Sequence, residues 1–318
     1  MNLRRKLYFC LTIALHFAPL QGYTDDVYRR LHHQLVGGVD FYYTPFVRLE
    51  HGAPRSKDLR DIAPEHNENV PVVPQIIAAN LAEFRTLTQL IVEKGYQRVD
   101  LNMGCPFPLQ AKHGRGCGLL AKTDDITAMF AEMKQHPEVQ FSIKLRLGWD
   151  DSTVAQRLLP LINEAPIMQV TLHPRLGTQG YKGSTDIDAF SAFADECTKP
   201  LIYNGDLTSP EEVLQLQQRF PQLAGIMIGR GLLARPSMGV ELQSGIEWPR
   251  HERIRLLHQL HEALHAHFAR ISPGEAQLHQ KLRTFWDYLE PEIGRKPFKA
   301  VQKAGNFRNY LRAVADIV

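Results

Sequence analysis

Cys105 is the residue whose neighbours in the sequence most clearly indicate a chemical role. The strand-like residues 98–101, in which Val99 and Leu101 are apolar, lead into Asn102 and Gly104, and Cys105 and Pro106 follow directly. An apolar run that ends in polar and glycine residues is typical of a buried strand that stops at a site. The rest of the stretch 101–120 is a loop rich in Gly, Lys, Arg and His. The pattern predicts a strand that delivers the Cys105 thiol into a site.

Other predicted strands also end in polar side chains. These are Gln75, Asn102, Lys144, His173 and Asn204. A single His or Asn at a strand end is more often a hydrogen-bonding residue of a loop. Five such residues on separate strands favour one common site, provided that the strands end at the same rim.

The elements that must position these residues alternate regularly along the chain. Apolar runs at residues 15–19, 41–47, 70–77, 98–101, 140–145, 169–173, 200–204 and 225–228 predict eight strands, with helices between them. One of these helices begins after Asn80 and has apolar residues at helical spacing. Eight such rounds predict an α/β fold, namely a (β/α)8 TIM barrel, whose active site lies at the carboxyl ends of the strands.

Two glycine turns at this rim indicate a phosphate site. Asn204, Gly205 and Asp206 follow the seventh strand, and Gly229 and Arg230 follow the eighth. In TIM barrels the phosphate site is formed by the loops after strands seven and eight, where backbone N–H groups face the anion. The sequence therefore predicts a phosphorylated cofactor or substrate. Lys144 and His173 are then expected near the ring of the cofactor.

The C-terminal part is predicted to be a separate helical domain. We expect the barrel to occupy residues 13–242 and a bundle of three or four helices to occupy residues 243–318, after a linker at about 243–250. From Arg250 onward there are 12 Lys and Arg against 7 Asp and Glu, whereas the whole chain carries a net charge of only +3. A basic appendage on a near-neutral body suggests a polyanionic partner, although on charge alone a solvated helical surface is the favoured explanation.

Composition and cysteine spacing limit the remaining classes. The four cysteines form no CxxC pair and suggest neither a disulfide framework nor a zinc site, so we expect a reducing, cytoplasmic setting. His258, His261 and His265 share one helical face, which we interpret as polar surface, and we expect no metal site. Residues 4–6 are basic and residues 7–15 apolar, as in a signal peptide, but the apolar run is too short to span a membrane. We therefore expect residues 1–12 to be a dispensable extension, and the protein to be a monomer that does not associate with membranes.

Six motifs together carry a family resemblance. They are APLQGYTD, LNMGCP, IKLRLGW, LHPRLGTQGY, IYNGD and IMIGRG. Their order and spacing, over about residues 16–235, resemble those of the tRNA-dihydrouridine synthases. The resemblance implies an FMN enzyme that uses NADPH to reduce the C5–C6 double bond of uridines in tRNA, with a catalytic FMN-binding barrel and a helical tRNA-binding domain.

The resemblance also implies roles for individual residues. Cys105 is expected to protonate C5 of the uracil, and therefore to be a neutral thiol, and not a thiolate nucleophile. Asn102, Arg146 and Arg175 are expected on the substrate side. The expected cofactor contacts are Pro19, Leu20, Gln75, Lys144, His173, Asn204, Gly205, Asp206, Gly229 and Arg230.

Cationic residues on both predicted domains are expected to face the RNA. Those at the cavity entrance are Lys112, His113, Arg115, Arg175 and Lys182. Those on the helical domain are Lys281, Arg283, Arg295, Lys296, Lys299, Lys303 and Arg308. The sequence departs from the family pattern at Cys117 and Pro174, which affects the expected loop path and leaves the modified position open.

Two other interpretations remain at this point. One is an FMN barrel reductase that acts on a small pyrimidine, and the basic helical domain argues against it. The other is an RNA-binding barrel without redox activity, and the presence of Cys105, Lys144 and His173 argues against that.

Overall fold

The fold was examined in a computed structural model, which describes residues 10–318. Most of the predicted extension, residues 1–9, lies outside the described residues. Leu11 already belongs to the folded body, since its N–H donates to the carbonyl of Leu242 over 2.9 Å. No helix within the described residues is long and apolar enough to cross a membrane.

Eight parallel strands form the barrel. They are β1 (Ala14–Phe17), β2 (Phe41–Tyr43), β3 (Val72–Val73 and Gln75–Ile76), β4 (Arg98–Met103), β5 (Gln140–Gly148), β6 (Ile167–Leu176), β7 (Leu201–Asn204) and β8 (Gly225–Ile228). Each predicted strand overlaps one of these, and β4, β5 and β6 run several residues further than the apolar pattern indicated. The predicted (β/α)8 barrel is confirmed.

The sheet returns on itself at Pro74. Proline has no N–H to donate, so it divides β3 into two short pieces. The first piece pairs with β2, through Val73 and Tyr43, and the second pairs with β4, through Gln75 and Asp100. Because the two pieces pair with different neighbours, residues 72–76 connect the two edges of the sheet and close the barrel.

Helices follow the strands on the outside of the barrel. They are α1 (Asp26–Leu35), α2 (Ser56–Asp61), α3 (Leu81–Glu93), α4 (Pro108–Lys112), α5 (Thr123–Met133), α6 (Val154–Glu164), α7 (Ile187–Glu196), α8 (Pro210–Arg219), α9 (Arg230–Ala234) and α10 (Met238–Ser244). Local sequence fixes several of their starts. Asn80 caps α3 by accepting from the Glu83 N–H, and Ser209 and Glu212 form a reciprocal capping box at α8.

The excursion between β2 and β3 contains regular structure. It holds a two-stranded hairpin (Leu49–Glu50 and Ala53–Pro54), α2 and a 3-10 turn at Pro64–His66. Arg29 of α1 is buried against it and donates to Asp61 and to the Asn67 side chain. This excursion is therefore fastened to the barrel by a buried guanidinium.

The inside of the barrel is apolar on one side and polar on the other. The apolar side is a small buried cluster formed by Ala18, Tyr43, Val73, Ile202 and Met227. The polar side comes from β4, β5 and β6, where Asp100, Ser142 and Thr171 are almost fully buried. Buried polar groups need partners, so this half of the interior determines how the residues above it are held.

The C-terminal region contains five helices, whereas three or four were predicted. They are α11 (Arg250–Ile271), α12 (Glu275–Thr284), α13 (Glu290–Ile293), α14 (Arg295–Gln302) and α15 (Phe307–Ala315). Its core holds Trp286, whose indole N–H donates to the Tyr310 hydroxyl over 3.0 Å. His261 lies 2.7 Å from the same hydroxyl and is buried. Its assignment to a polar surface was therefore wrong, because its ring packs among the aromatic residues of the core.

A buried carboxylate joins the end of the barrel to the helical region. Glu241 is inaccessible to solvent and accepts from Arg235 (3.0 Å), the Ser237 hydroxyl (2.6 Å) and the Trp248 N–H (2.9 Å). Arg235 also contacts Glu247, which is partly exposed. The chain between α10 and α11 is thus held by hydrogen bonds to one buried charge.

We expect Glu241→Gln to lower the free energy of unfolding by about 3 kcal/mol, because it leaves the Arg235 guanidinium without its buried counter-charge. Urea unfolding measures the effect. The matched control, Glu247→Gln, alters a more exposed partner of the same arginine and should cost under about 1 kcal/mol. Equal losses in the two variants would contradict this account of the junction.

Candidate active site

A cavity of about 460 Å³ opens at the carboxyl ends of the strands. All eight strands or the loops that follow them contribute to its wall. The residues that line it are Ala18, Pro19, Leu20, Gln21, Pro45, Phe46, Gln75, Asn102, Gly104, Cys105, Pro106, Lys144, Arg146, His173, Tyr181, Asn204, Gly205, Asp206, Leu207, Thr208, Met227, Ile228, Gly229, Arg230, Gly231, Ala234, Tyr288 and Pro291. Every residue predicted to contact cofactor or substrate lies on this wall, except Arg175.

The Cys105 backbone is fixed by the turn that precedes it. The Asn102 side-chain oxygen accepts from the Cys105 N–H (2.8 Å) and from the Gly104 N–H (3.0 Å). On the other side, the Cys105 carbonyl accepts from the Cys117 N–H over 3.1 Å. Gly116 packs so closely that a Cβ there would lie 2.6 Å from the Cys105 Cβ. The thiol is therefore held between its own strand end and the following loop.

A chain of buried hydrogen bonds supports this turn from inside the barrel. Asp100 accepts from the Ser142 hydroxyl (2.6 Å) and from the Gln75 amide (2.7 Å). The Gln75 oxygen in turn accepts from the Asn102 amide over 2.7 Å. One N–H of each amide is used in this chain, so each retains one N–H for a ligand in the cavity. Both amides are thus oriented by the buried carboxylate.

Burial raises the pKa of the Cys105 thiol above its ordinary value. The Phe107 backbone N–H, which hydrogen-bonds to the sulfur, and the nearby cations Arg146 and Lys144 oppose this shift only in part. Cys105 therefore carries its proton at neutral pH. Burial also raises the pKa of Cys117, to about 12, and that residue is not on the cavity wall.

Lys144 keeps its positive charge at neutral pH. Burial, and then the neighbouring Arg146, lower its pKa to about 8, while the Asp100 carboxylate acts in the opposite direction. Burial raises the pKa of Asp100 to about 6, against the hydrogen bonds from Ser142 and Gln75. The floor of the cavity thus presents a cationic amine above a buried carboxylate.

His173 is a neutral ring with a defined tautomer. Burial lowers its pKa well below the ordinary value, and the surrounding cations, first Lys144 and Arg146, lower it further. Arg175 Nη1 lies 3.2 Å from His173 Nε2. Because a guanidinium can only donate, Nε2 must accept, and the ring carries its proton on Nδ1.

Arg175 lies behind the cavity wall. Its guanidinium is buried, donates to Asp206 and to the carbonyl of Gly183, and contacts His173. The predicted direct contact with substrate does not fit this position, since reaching a ligand would require breaking these bonds. Asp206 also accepts from Arg230 over 2.8 Å, so one carboxylate holds two arginines. The local sequence gives no signal for this pairing, because the partners are 31 and 24 positions apart.

Three aromatic residues on the wall, Phe46, Tyr181 and Tyr288, were missed by the sequence interpretation. Tyr181 lies in the glycine-containing loop after β6, and its ring contacts the guanidinium groups of Arg146 (5.4 Å) and Arg230 (4.7 Å). Tyr288 comes from the helical region, where it packs edge-on against Tyr23 at 5.0 Å. The sequence offered one signal for Tyr181, an aromatic residue between Gly180 and Gly183 in a loop after a strand. Tyr288 reaches the cavity only through the packing of the helical region.

Arg115 differs from its predicted role at the cavity entrance. Its Nε donates to Glu83 over 2.9 Å, and a second nitrogen pairs with the other oxygen of the same carboxylate. This bidentate pair neutralises its charge and fastens the loop after Cys105 to α3. Lys112 and His113, by contrast, are exposed.

Comparison with known proteins supports one family. The family model described as dihydrouridine synthase (Dus) matches residues 16–317. The chain is 27% identical over 234 residues to tRNA-dihydrouridine synthase B of Pasteurella multocida, which covers 73% of this chain and 70% of the relative. It is 30% identical over 232 residues to a probable tRNA-dihydrouridine synthase 1 of Synechocystis sp., covering 71% and 63%. A solved structure of morphinone reductase in complex with tetrahydroNAD has the same fold, with a TM-score of 0.53 at 9% identity, and the match covers 78% of this chain and 93% of that one. The chain therefore belongs to the dihydrouridine synthase family, whose members are flavin-dependent oxidoreductases.

Proposed function

We propose that this protein reduces the C5–C6 double bond of uridines in tRNA, with FMN as its flavin and NADPH as the reductant. The observation that carries the proposal is the position of Cys105. A thiol that keeps its proton lies on the wall of the same cavity as Lys144 and the neutral His173. Family membership supports the reaction class.

The cavity fits a flavin in size and in the chemistry of its wall. A volume of about 460 Å³ lies within the range of about 300–1,000 Å³ typical of small-molecule sites. Apolar groups from Ala18, Met227 and Ile228 offer a surface for a planar ring, while amide, ammonium and imidazole groups converge beside them. When bound, the flavin supplies the hydride that is added at C6 of the uracil.

The residues that would hold this cofactor fall into two groups. Gln75, Lys144 and His173 would donate to the polar edge of the ring, with Lys144 stabilising negative charge there, and Pro19 and Leu20 would contact the ring. Asn204, Gly205, Asp206, Gly229 and Arg230 would bind the ribityl and phosphate groups. Arg230 carries one positive charge for the phosphate, and Asp206 orients it.

The substrate side is organised around Cys105. Hydride addition at C6 leaves negative charge on C5 and O4 of the base, and the Cys105 Sγ proton is transferred to C5. The resulting thiolate recovers its proton from solvent. Asn102 retains one amide N–H with which to orient the base, and the buried Arg146 stabilises negative charge beside it. Arg175 acts as a positioning residue, since it holds His173 and Asp206.

We place the tRNA across the cavity mouth and the helical region, which we assign as residues 243–318. Tyr288 and Pro291 already bring this region to the cavity wall. Arg295, Lys296 and Lys299 of α14 are exposed and carry positive charge. A flipped uridine must leave its stack to reach the cavity, so the rest of the RNA has to be held outside it.

The direct test is the absorption spectrum of the purified protein, followed by incubation with NADPH and tRNA from a strain that lacks the gene. We expect the spectrum of a bound flavin, FMN on extraction, and dihydrouridine detected in the tRNA by mass spectrometry. A colourless protein that cannot be reconstituted with FMN would overturn the proposal. Reduction of free uracil without action on tRNA would instead support a small-pyrimidine reductase.

Cys105→Ala should retain FMN and its reduction by NADPH, yet lose dihydrouridine formation by about 100-fold or more, the effect of removing a general acid. Stopped-flow flavin reduction and tRNA turnover measure the two steps separately. Cys117→Ala is the matched control and should keep both, because its buried thiol is not on the cavity wall. Equal loss of flavin reduction in Cys105→Ala would show that the thiol serves the other half-reaction.

Gly116→Ala should lower kcat on tRNA by about 100-fold. The added methyl group would lie 2.6 Å from the Cys105 Cβ, too close for carbon atoms, so it would push the thiol out of position by roughly 1 Å. Gly95→Ala is the control, since Gly95 also has a positive φ (+84° against +58°) but a Cβ there meets no atom within 4 Å. Both variants should lose about 1–2 kcal/mol of stability from backbone strain, and Gly116→Ala should lose about 1–3 kcal/mol more because its Cβ also clashes with Cys105. Similar activity of the two would contradict the close packing of Gly116 on Cys105.

Changing Arg295, Lys296 and Lys299 together to Ala should weaken tRNA binding, most strongly at low salt, and reduce the slope of log affinity against log salt by about 2–3. Binding titrations at several salt concentrations measure this. A control variant with Lys94, Lys134 and Arg219 changed to Ala also loses three charges, but at the opposite end of the barrel, where α3, α5 and α8 end. The same loss in both variants would mean that only net charge matters.

A further inference from the structure

Three large apolar side chains that are exposed lie on or next to the active-site cavity. Among the described residues the exposed large apolar side chains are Leu35, Phe107, Leu109, Tyr181, Ile271 and Val318. Tyr181 is on the cavity wall, and Phe107 and Leu109 follow Cys105 and Pro106 of that wall within four residues. Exposed apolar side chains next to a site are candidates for contact with what binds there.

Phe107 has no packing role that explains its identity. Its exposed fraction is 59%, and it belongs to neither buried cluster in the described part of the chain. Its backbone does serve the site, because its N–H bonds to the Cys105 sulfur and its carbonyl accepts from Gln110 at the start of α4. The backbone role is open to any residue with an N–H, so the aromatic ring needs a separate reason.

The backbone that carries the ring is also held in place before any partner binds. Pro106 precedes Phe107 and Pro108 follows it, and a residue before proline is restricted to extended conformations. The observed φ of −67° and ψ of 120° lie in that region. The segment is fastened further by the Arg115–Glu83 pair and by the contact of Gly116 with Cys105. Little backbone entropy is therefore lost when a partner contacts the ring.

The charge around the ring favours an anionic partner. Residues 102–122 contain no Asp or Glu, and Lys112 and His113 are exposed at the end of α4. A flat apolar ring followed along the chain by the exposed ammonium of Lys112 matches a nucleobase that carries its own phosphate, since bases stack on aromatic side chains while cations contact the backbone. A second protein surface would be expected to need a larger apolar area than two side chains.

We propose that Phe107 stacks on the nucleobase next to the uridine that enters the cavity, with Leu109 extending the contact. Extrusion of one base leaves its neighbour without a stacking partner on one face, which costs free energy. The Phe107 ring replaces the lost partner only two residues from the thiol that protonates the extruded base. Phe107 is thus a positioning residue for the RNA. This inference depends on the proposed action on tRNA.

The first test compares steady-state turnover on tRNA from the deletion strain. Phe107→Ala should lower kcat/KM by about 5- to 100-fold, the effect of one lost base–aromatic stack. FMN content and the rate of flavin reduction by NADPH should stay at wild-type levels, because the backbone N–H to Cys105 is kept. Phe107→Trp should retain turnover, whereas Phe107→Leu, which is apolar but not aromatic, should lose most of it. Full activity of Phe107→Leu or of Phe107→Ala would overturn the stacking.

The second test detects the contact between position 107 and the RNA by tryptophan fluorescence. Saturating tRNA should quench the emission of the added indole in Phe107→Trp, after correction for the three native tryptophans measured in the wild type. Leu35→Trp is the control, because Leu35 is exposed to 43% but ends α1 at the opposite end of the barrel. Quenching confined to position 107 supports the proposal, and unchanged emission at 107 refutes it.

Two further outcomes are distinguishable from these. If the wild type forms no dihydrouridine in tRNA, the proposed function fails before Phe107 is tested. If sedimentation shows a wild-type dimer that Phe107→Ala dissociates, the patch is covered by a second copy of the chain, and the stacking inference is overturned while the proposed function stands.

Discussion

The active site depends on one buried carboxylate inside the barrel. Asp100 is inaccessible to solvent and accepts from Ser142 and Gln75, and through Gln75 it orients Asn102. Asn102 then fixes the Cys105 N–H. A carboxylate buried at this depth is tolerated only when its oxygens are hydrogen-bonded. The requirement to satisfy Asp100 therefore determines the direction of two amides, and through them the position of the thiol.

Closure of the barrel makes this arrangement possible. Gln75 is on the second piece of β3, and Pro74 turns that piece towards β4, which carries Asp100, Asn102 and, just after its end, Cys105. The apolar side of the interior, which includes Met227 and Ile202, carries one polar group, the Tyr43 hydroxyl, and that group accepts from the Gln169 amide. The hydrogen-bonded network thus lies on the second piece of β3, on β4 and on β5, and most of the apolar surface lies on the other strands. In the proposed complex the flavin ring would pack on the apolar surface without displacing the network.

The sequence allowed the rim of the barrel to be predicted because strand ends carry a local signal. Gln75, Lys144 and Asn204 each follow an apolar run, and parallel strands end at one side of a barrel. The family match over residues 16–317 confirms the resemblance that six motifs indicated. The pairing of the arginines was not predictable in the same way. Arg175 with Asp206 and Arg115 with Glu83 are contacts between distant positions, and the sequence offers each arginine many possible carboxylates. Tyr288 lies on the cavity only because the helical region packs back onto the barrel.

Burial shifts the pKa values of the two acids of the site, Cys105 and Lys144, in opposite directions. It penalises whichever form is charged, so it raises the pKa of Cys105 and lowers that of Lys144. With a pKa of about 8, Lys144 is still mostly protonated at neutral pH. The neighbouring cations that partly offset the shift of Cys105 are too weak to make it a thiolate. The cavity therefore holds a charged amine and a neutral thiol side by side, which are the protonation states that the proposed reaction requires of Lys144 and Cys105.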